Sequence, residues 1–218
     1  MTDPAAAEDR VERETGRVEA FSDGVFAIAV TLLVLDLKVP KPADLGSQTL
    51  LAALTRQWPT FLAYLTSFAT ILVMWVNHHK MFSHVHRVDD RFLFLNGLLL
   101  LFVTFVPFPT ALVADYLRHP ESRTAAAIYA GTYVALAIAF NLLWNYVCAS
   151  KRLLAPNASL ARVQAIRKQY MTGPLLYAVA FGLCFYSVAA GLSFCLLLAV
   201  YWALTGWFAA RPERSQAH

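Results

Sequence analysis

Long apolar runs constrain this sequence more than any other feature. The first extends from Phe21 to Leu37 and is almost wholly apolar after Gly24, and similar runs recur along a chain that is 58% hydrophobic and 15% charged. About 20 such residues are enough to cross a bilayer as a helix. Because lipid offers the backbone no hydrogen-bond partners, only complete helices or a closed barrel are allowed there. The runs are too long and continuous for alternating barrel strands, so the sequence predicts an all-α, polytopic membrane protein.

The runs divide into six predicted transmembrane helices, which polar, proline or glycine residues separate. Their approximate bounds are 17–38, 58–79, 92–113, 124–149, 173–190 and 191–210. In this division Gly173 and Pro174 begin the fifth helix, and Gly191 separates it from the sixth. Residues 1–16 and 211–218 are then tails on either side of a transmembrane domain, 17–210, and a short amphipathic helix is expected within the connector 151–169.

The basic residues indicate how these helices are oriented. Of the 18 Lys and Arg residues, 13 lie on the side predicted to face the cytosol, and the other five are Lys38, Lys41, Arg56, Arg118 and Arg123. The positive-inside rule therefore predicts cytosolic termini in the inner (plasma) membrane of a cell. The net charge of +4 does not indicate nucleic-acid binding, because the basic residues lie between apolar runs and form no separate domain.

The first helix divides into two faces. At about 3.6 residues per turn, one stripe carries apolar side chains and a single hydroxyl, and consists of Phe21, Gly24, Ile28, Thr31, Leu32 and Leu35. Asp23 points away from this stripe. A carboxylate in a membrane helix is unfavourable unless it is paired, so we expect Asp23 to bind a partner inside the protein. Taken alone, an apolar stripe at this spacing is typical of ordinary helix packing.

A short motif lies at the start of this helix. Arg17, Phe21, Ser22, Asp23 and Gly24 spell R-x-x-x-F-S-D-G, and with the apolar run after it the motif resembles the first helix of prokaryotic potassium channels related to transmembrane protein 175. The resemblance implies six transmembrane helices per repeat, a pore lined by the first helix and no filter loop of the usual kind. The sequence indeed contains no T-V-G-Y-G segment. One repeat per chain implies a homotetramer in the bilayer that passes potassium ions and needs no cofactor.

The same resemblance implies roles for the stripe. Ile28, Leu32 and Leu35 match positions at which side chains from several subunits form a hydrophobic gate. Thr31 matches a threonine that contributes to ion selectivity. The resemblance therefore favours a pore over ordinary packing for this face of the helix.

A polar network is predicted at the cytosolic ends of the first three helices. Buried charges are tolerated there only when they are paired and hydrogen-bonded, and in the resembled family the arginine, serine and aspartate of the motif help to hold the helices together. The network would include Asn96 and one of two adjacent histidines. The full predicted structural set is Arg17, Phe21, Ser22, Asp23, Trp75, His78, His79 and Asn96.

The histidines also leave a metalloenzyme open as an alternative. His78, His79, His84 and His86 are of a type that ligates metals, but the sequence contains no H-E-x-x-H pattern. A structural role without metal is therefore favoured.

A secondary transporter with its site inside one protomer is a further alternative. It would need discontinuous helices or inverted halves, for which only Pro107 and Pro109 leave room. Elsewhere, Asn141 and Asn145 are expected to bond to neighbouring helices, as intramembrane amides usually do.

Overall fold

The computed structural model of the chain describes the backbone of residues 4–156 and 158–209, and the side chains of 14–43, 45–156 and 158–205. The helices are α1 (Pro4–Leu32), α2 (Pro42–Leu45), α3 (Leu50–Arg56), α4 (Trp58–Phe82), α5 (Asp90–Phe105), α6 (Pro107–Tyr116), α7 (Ser122–Ala149), α8 (Leu160–Tyr186) and α9 (Val188–Ala209). The predicted tail 211–218 lies outside the described residues, as do positions 1–3. Residues 4–16 of the predicted N-terminal tail continue α1.

The predicted all-α class is confirmed. Among the described residues, the only β-structure is an isolated antiparallel bridge between Val85 and Leu154. Within the described part of the chain, five segments are long and apolar enough to cross a membrane, namely Glu14–Asp36, Trp58–Phe82, Asp90–Tyr116, Ser122–Ala149 and Val188–Thr205. The remaining long helix, α8, carries Arg162, Arg167 and Lys168 in its first turns, which lowers its apolar character. The count of six spans therefore stays a prediction.

The third span divides into two helices next to Pro107, in the outer part of the span where the prolines are expected to kink or loosen it. Pro107 has no backbone N–H, and α5 ends at Phe105 while α6 begins at Pro107. Val106 between them keeps right-handed helical angles, with φ −54° and ψ −38°. The backbone therefore stays helical there and does not unwind into the kind of open segment that a transporter uses to hold its substrate.

The fifth long helix begins earlier than the sequence predicts. α8 starts at Leu160, where Ser159 Oγ accepts a hydrogen bond from the backbone N–H of Arg162 at 3.4 Å. The prediction that Gly173 and Pro174 begin this helix is wrong, since Pro174 lies inside it.

A neighbouring helix compensates for this internal proline. Pro174 cannot donate to the carbonyl of Tyr170, four residues before it. Asn141 of α7 donates from Nδ2 to that same carbonyl at 2.8 Å. The expectation that Asn141 bonds to a neighbouring helix is confirmed, and the bond explains why the helix continues through the proline.

The last two helices separate at Ser187 instead of at Gly191. Ser187 is extended, with φ −150° and ψ 119°, whereas Gly191 is buried inside α9. A Cβ placed on Gly191 would lie 2.9 Å from the backbone nitrogen of Cys184 and 3.1 Å from the carbonyl oxygen of Ala180. The glycine is therefore needed for the close approach of α8 and α9, and not for a turn.

The bundle is built around α7, which packs against α5, α6, α8 and α9. In an 18-residue stretch of α7, long enough to cross the bilayer, 61% of the residues are buried, compared with 22% in the corresponding stretch of the first span. By this measure the first helix is the least enclosed of the five candidate spans.

Three helices also share a hydroxyl cluster in the interior, where Ser67 Oγ lies 2.7 Å from Thr110 Oγ1 and 3.1 Å from Tyr129 Oη.

Two connectors are joined at one end of the bundle, which we call the connector end. The backbone N–H groups of His86 and Arg87 donate to the carbonyl of Leu153 at 2.8 and 3.3 Å, and Ala155 N–H donates to the carbonyl of His84 at 3.0 Å. Thr15 Oγ1 donates to the carbonyl of His86 at 2.9 Å. The N-terminal half of α1 is thereby attached, at Thr15, to the connector between α4 and α5.

Asp89 fixes the connector end further. Its Oδ1 accepts from the backbone N–H of Phe92 at 2.9 Å, and its Oδ2 accepts from Tyr146 Oη and Arg152 Nη2, each at 2.7 Å. Burial raises the pKa of Asp89, but these hydrogen bonds and the Arg152 charge outweigh it, so the pKa lies below its ordinary value. The carboxylate therefore caps α5 and links it to α7 and to the following connector.

Candidate functional site

The buried face of α1 packs onto the rest of the protomer. Ser22, Phe26, Ala29 and Leu33 recur every three or four residues and are at most 2% exposed. Leu33 directly follows the end of α1, and together the four residues form one continuous buried face of the first span against α4 and α5. This face holds α1 on the bundle.

The opposite face of α1 is left uncovered by the part of its own chain that the structure describes. Every residue of the predicted stripe is exposed, and the members are Phe21, Gly24, Ile28, Thr31, Leu32 and Leu35. Exposure reaches 59% at Ile28 and 71% at Leu35. An apolar face of this length, on a span that packs against the bundle by its opposite side, is available for lipid or for further copies of the chain.

The stripe extends past the end of the α-helix. The α-helical part of the first span ends at Leu32, and a 3-10 turn covers Leu33–Asp36. Side chains three residues apart eclipse one another in a 3-10 turn, so Leu35 stays on the same side as Leu32. The prediction that a single α-helix reaches Lys38 is wrong, but the predicted face survives.

Thr31 carries the hydroxyl group of this face. Its Oγ1 donates to the carbonyl of Ile28 at 2.9 Å, which is a common bond within a helix for threonine. A hydroxyl oxygen has two acceptor lone pairs, and both stay available on an exposed surface. Thr31 can therefore accept a hydrogen bond from water or coordinate a cation.

On the other face, a buried hydrogen-bond chain connects the first three spans. Ser22 Oγ donates to the carbonyl of Val18 at 2.8 Å and accepts from Asn96 Nδ2 at 2.9 Å. His78 Nε2 lies 2.9 Å from Asn96 Oδ1. With the amide oriented this way, His78 donates from Nε2. Ser22, Asn96 and His78 are each at most 3% exposed, so the chain lies in the interior.

A second set of polar contacts joins α1 to α4 on two successive helical turns. Trp75 Nε1 donates to Asp23 Oδ1 at 2.8 Å, and His79 Nδ1 lies 2.9 Å from Glu19 Oε1. The two aromatic rings stack, with centroids 6.1 Å apart. Glu19 was absent from the predicted set. The sequence could have indicated this residue, because Glu19 lies one helical turn before Asp23 and His79 lies one turn after Trp75.

Arg17 and Phe21 lie apart from these contacts. Both are exposed, and no hydrogen bond or ion pair connects Arg17 to another residue in the part of the chain that the structure describes. Phe21 belongs to the exposed stripe, where it is 68% exposed. Their structural roles stay predictions.

The histidines are divided among different surroundings. His78 and His79 bond to different partners, and His84 lies beside Trp144, with ring centroids 6.3 Å apart. Burial, followed by the Arg162 charge, lowers the pKa of His84. No three His, Cys, Asp or Glu side chains among the described residues form a group able to hold a metal ion.

Comparison with known sequences relates the chain to one family of ion channels. The family model for the endosomal/lysosomal potassium channel TMEM175 matches residues 17–107. A potassium channel of Chamaesiphon minutus is 57% identical over 193 residues, which cover 88% of this chain and 95% of that protein. A potassium channel of Streptomyces collinus is 49% identical over 190 residues, or 87% of this chain and 91% of that protein. The human endosomal/lysosomal proton channel TMEM175 is 40% identical over 136 residues, only 27% of that protein.

Solved structures agree with the sequence comparison. A crystal structure of a lysosomal potassium-selective channel TMEM175 homolog from Chamaesiphon minutus superposes with a TM-score of 0.82 at 54% identity, covering 89% of this chain and 98% of the other. The potassium channel MtTMEM175 superposes with a TM-score of 0.62 at 19% identity, covering 90% and 94%. At that lower identity the likeness concerns the fold alone.

Proposed function

The chain belongs to the TMEM175 family, and on that premise we propose that it is a potassium-permeable channel. The relatives that cover most of its length are potassium channels, which assigns ion conduction to this protein and not catalysis. No filter loop of the T-V-G-Y-G kind occurs in the sequence, so a ring of backbone carbonyls of that type is unavailable for selecting ions. The single observation that carries the proposal for the pore is the uncovered face of α1.

The pore is formed by several copies of α1. One helix cannot enclose an ion pathway, and its exposed stripe would meet equivalent stripes around a symmetry axis in a closed oligomer. One repeat per chain supports a homotetramer. Each protomer then holds its α1 by the buried face and contributes the exposed face to the axis.

The gate is formed by apolar side chains on this axis. Ile28 forms the narrowest ring, and Leu32 and Leu35 extend it towards the end of the span. Rings of branched apolar side chains offer no replacement for the hydration shell of an ion, so a narrow ring blocks conduction by dewetting. Thr31, one helical turn from Ile28, adds a hydroxyl to this path and contributes to selectivity. Opening requires α1 to tilt or rotate, and the change from α-helix to 3-10 turn at Leu33 is the place where its geometry already changes.

The protein lies in the plasma membrane with both termini in the cytosol. The distribution of 13 basic residues on one side against five on the other supports this orientation. The connector end, with its linked 83–89 and 150–155 segments, then faces the cytosol. In this orientation ions leaving the cytosol pass Phe21 before they reach Ile28.

Substitution at Ile28 tests the gate. Ile28→Asn places an amide where an ion loses its hydration, so it should wet the constriction and raise leak flux by on the order of tenfold, equivalent to a barrier lower by about 1.4 kcal/mol. Leu32→Asn and Leu35→Asn should act in the same direction but more weakly. Flux is measured on purified protein in liposomes, comparing potassium, sodium and a large organic cation.

Leu33→Asn is the matched control. Leu33 is adjacent to Leu32 in sequence but is fully buried against the bundle, so an amide there should lower thermal stability without raising leak. If Ile28→Asn assembles normally and its flux equals that of the unmodified protein, the stripe does not line the pore.

A further inference from the structure

A groove opens at the end of the bundle opposite the connector end. Its volume is about 460 Å³, and its walls are the start of α4, the end of α6 and the start of α9, with Tyr129 of α7 at its base. This volume lies within the range of about 300–1,000 Å³ that is usual for small-molecule sites. We propose that the groove binds an anionic phospholipid, with an acyl chain inside it and the phosphate at its mouth.

The inner part of the groove suits a hydrocarbon chain. Leu62, Val113, Leu192 and Leu196 line it, so its walls are largely aliphatic. Two of the hydroxyls that line it are already bonded, since Tyr129 Oη lies 3.1 Å from Ser67 Oγ and Thr66 Oγ1 donates to the carbonyl of Leu62 at 2.8 Å; the third, on Ser193, is exposed. A polar ligand that reached Tyr129 would lose hydration there and would find that hydroxyl already bonded. An acyl chain loses nothing of this kind, and it gains free energy for each methylene that it buries.

The mouth of the groove carries a cation at the depth of the lipid headgroups. The guanidinium carbon of Arg118 lies 5.6 Å from the centroid of the Trp58 ring, and both residues line the groove. Trp58 begins α4, and tryptophan favours the membrane–water interface. Arg118 is exposed and has no carboxylate partner among the described residues. A guanidinium binds phosphate oxygens through two parallel N–H bonds, so a negative headgroup completes both the charge and the hydrogen bonding.

The charge at the mouth is what selects a phospholipid over other occupants. A helix from a second copy would fill the aliphatic walls equally well, but it would need an acidic side chain placed next to Arg118. The exposed stripe of α1 contains no such residue. A lipid without a phosphate would fill the walls and leave Arg118 without an anion, and a zwitterionic phospholipid would bring its own ammonium group, which offsets the charge of its phosphate. The phosphate of an anionic lipid satisfies both parts of the site at once.

Native mass spectrometry of the detergent-solubilised oligomer tests this site. The oligomer is titrated with dioleoyl phosphatidylglycerol and, separately, with dioleoyl phosphatidylcholine, which has the same chains. The unmodified protein should retain phosphatidylglycerol about fivefold more strongly, the factor expected for one basic residue near a lipid surface. Arg118→Gln should reduce that preference by about the same factor, because it lowers the retention of phosphatidylglycerol more than that of phosphatidylcholine. Because binding is read without ion flux, the result is independent of whether the chain conducts potassium.

Two further variants separate this site from general charge effects. Arg123→Gln removes a neighbouring exposed cation that does not line the groove, and it should retain the full preference. Ala189→Phe places a ring in the groove from an exposed position on α9, and it should lower the retention of both lipids. The proposal is overturned if Arg118→Gln and Arg123→Gln have equal effects, if Ala189→Phe retains lipid normally, or if Ala189→Phe changes the oligomeric state instead of lipid retention.

Discussion

At the scale of single residues, Asp23 illustrates how an acidic side chain is accommodated in a membrane-length helix. It lies off the exposed stripe and accepts a hydrogen bond from the indole of Trp75 at 2.8 Å. The motif arginine that the sequence favoured as a network member forms no bond to it. The interaction is therefore a hydrogen bond to a carboxylate and not a buried ion pair. We accordingly expect its loss to lower the free energy of unfolding by less than the breaking of a buried ion pair would.

Removing this carboxylate should destabilise the helix bundle. Asp23→Ala leaves the indole N–H of Trp75 without its acceptor, and we expect a loss of about 1.5–3 kcal/mol, typical of hydrogen bonds to charged groups. Thermal unfolding and the yield of the intact oligomer measure it. Asp23→Asn keeps an acceptor oxygen and should lose less than half as much. Unfolding at the same temperature in Asp23→Ala and the unmodified protein would contradict a structural role.

Thr31 allows a separate test of selectivity. Thr31→Val keeps the shape of the side chain but removes the only hydroxyl on the exposed stripe, so the ratio of potassium to sodium permeability should fall. Reversal potentials under bi-ionic conditions measure this ratio. Thr104→Val is a control, because Thr104 makes the same kind of bond to its own helix, to the carbonyl of Leu101 at 2.9 Å, but lies off α1. An equal ratio in Thr31→Val and the unmodified channel would leave Thr31 with only its bond to Ile28.

At the scale of elements, α8 and α9 depend on two local accommodations. Pro174 is tolerated because Asn141 bonds to the carbonyl of Tyr170 that the proline leaves free. Gly191 is required because the backbone of α8 approaches α9 too closely for a side chain at that position. Both features place tertiary contacts at residues that usually end helices in soluble proteins.

Substitution of Gly191 should weaken this pair of helices. Gly191→Ala would force the backbone of α8 away, and overpacking of this kind typically costs about 1–3 kcal/mol. Gly182→Ala is the matched control, since Gly182 is exposed on α8 and a Cβ there meets nothing within 4 Å. That control should be neutral or stabilising by up to about 1 kcal/mol, because alanine favours helix over glycine. Thermal unfolding in one detergent compares the two, and equal melting temperatures would refute the close-packing explanation.

At the scale of the whole molecule, the protein presents one packed and one open side. α7 is surrounded by other helices, whereas α1 is held by one face only. Assembly around the open side of α1 accounts for this asymmetry without any change inside the protomer. The lipid groove lies elsewhere, between the start of α4 and the start of α9, so assembly at α1 and lipid binding use different surfaces.

The number of spans can be tested by labelling. Single cysteines at Ser122 and Gln216, in a background without Cys148, Cys184 and Cys195, should react with a membrane-impermeant reagent from opposite sides if all six long helices cross the membrane. If α8 does not cross, the direction of α9 reverses and both positions label from the same side. Ser122 begins α7, and Gln216 lies outside the described residues. Labelling from one side would therefore remove the six-span topology.

The sequence by itself determined the class of protein and the two faces of its first helix. Apolar runs of this length allow only helices in lipid. The period of about 3.6 residues also separates Ile28 and Leu32 from Leu33 before any packing is known. The sequence likewise located Ser22, Asp23, Trp75 and the histidines at a common depth, because helix direction and helix length together fix depth in a bilayer.

Only the tertiary structure decided which of these residues meet. Both histidines have partners, His78 through Asn96 and His79 through Glu19, whereas the sequence allowed one. The tertiary structure also decided that α8 continues through Pro174 and that the helix ends at Ser187. Local signals identify residues able to end a helix, but the donor that rescues Pro174 is Asn141, more than 30 positions away. Contacts of this kind depend on how helices rotate and approach one another, which no local pattern in the sequence specifies.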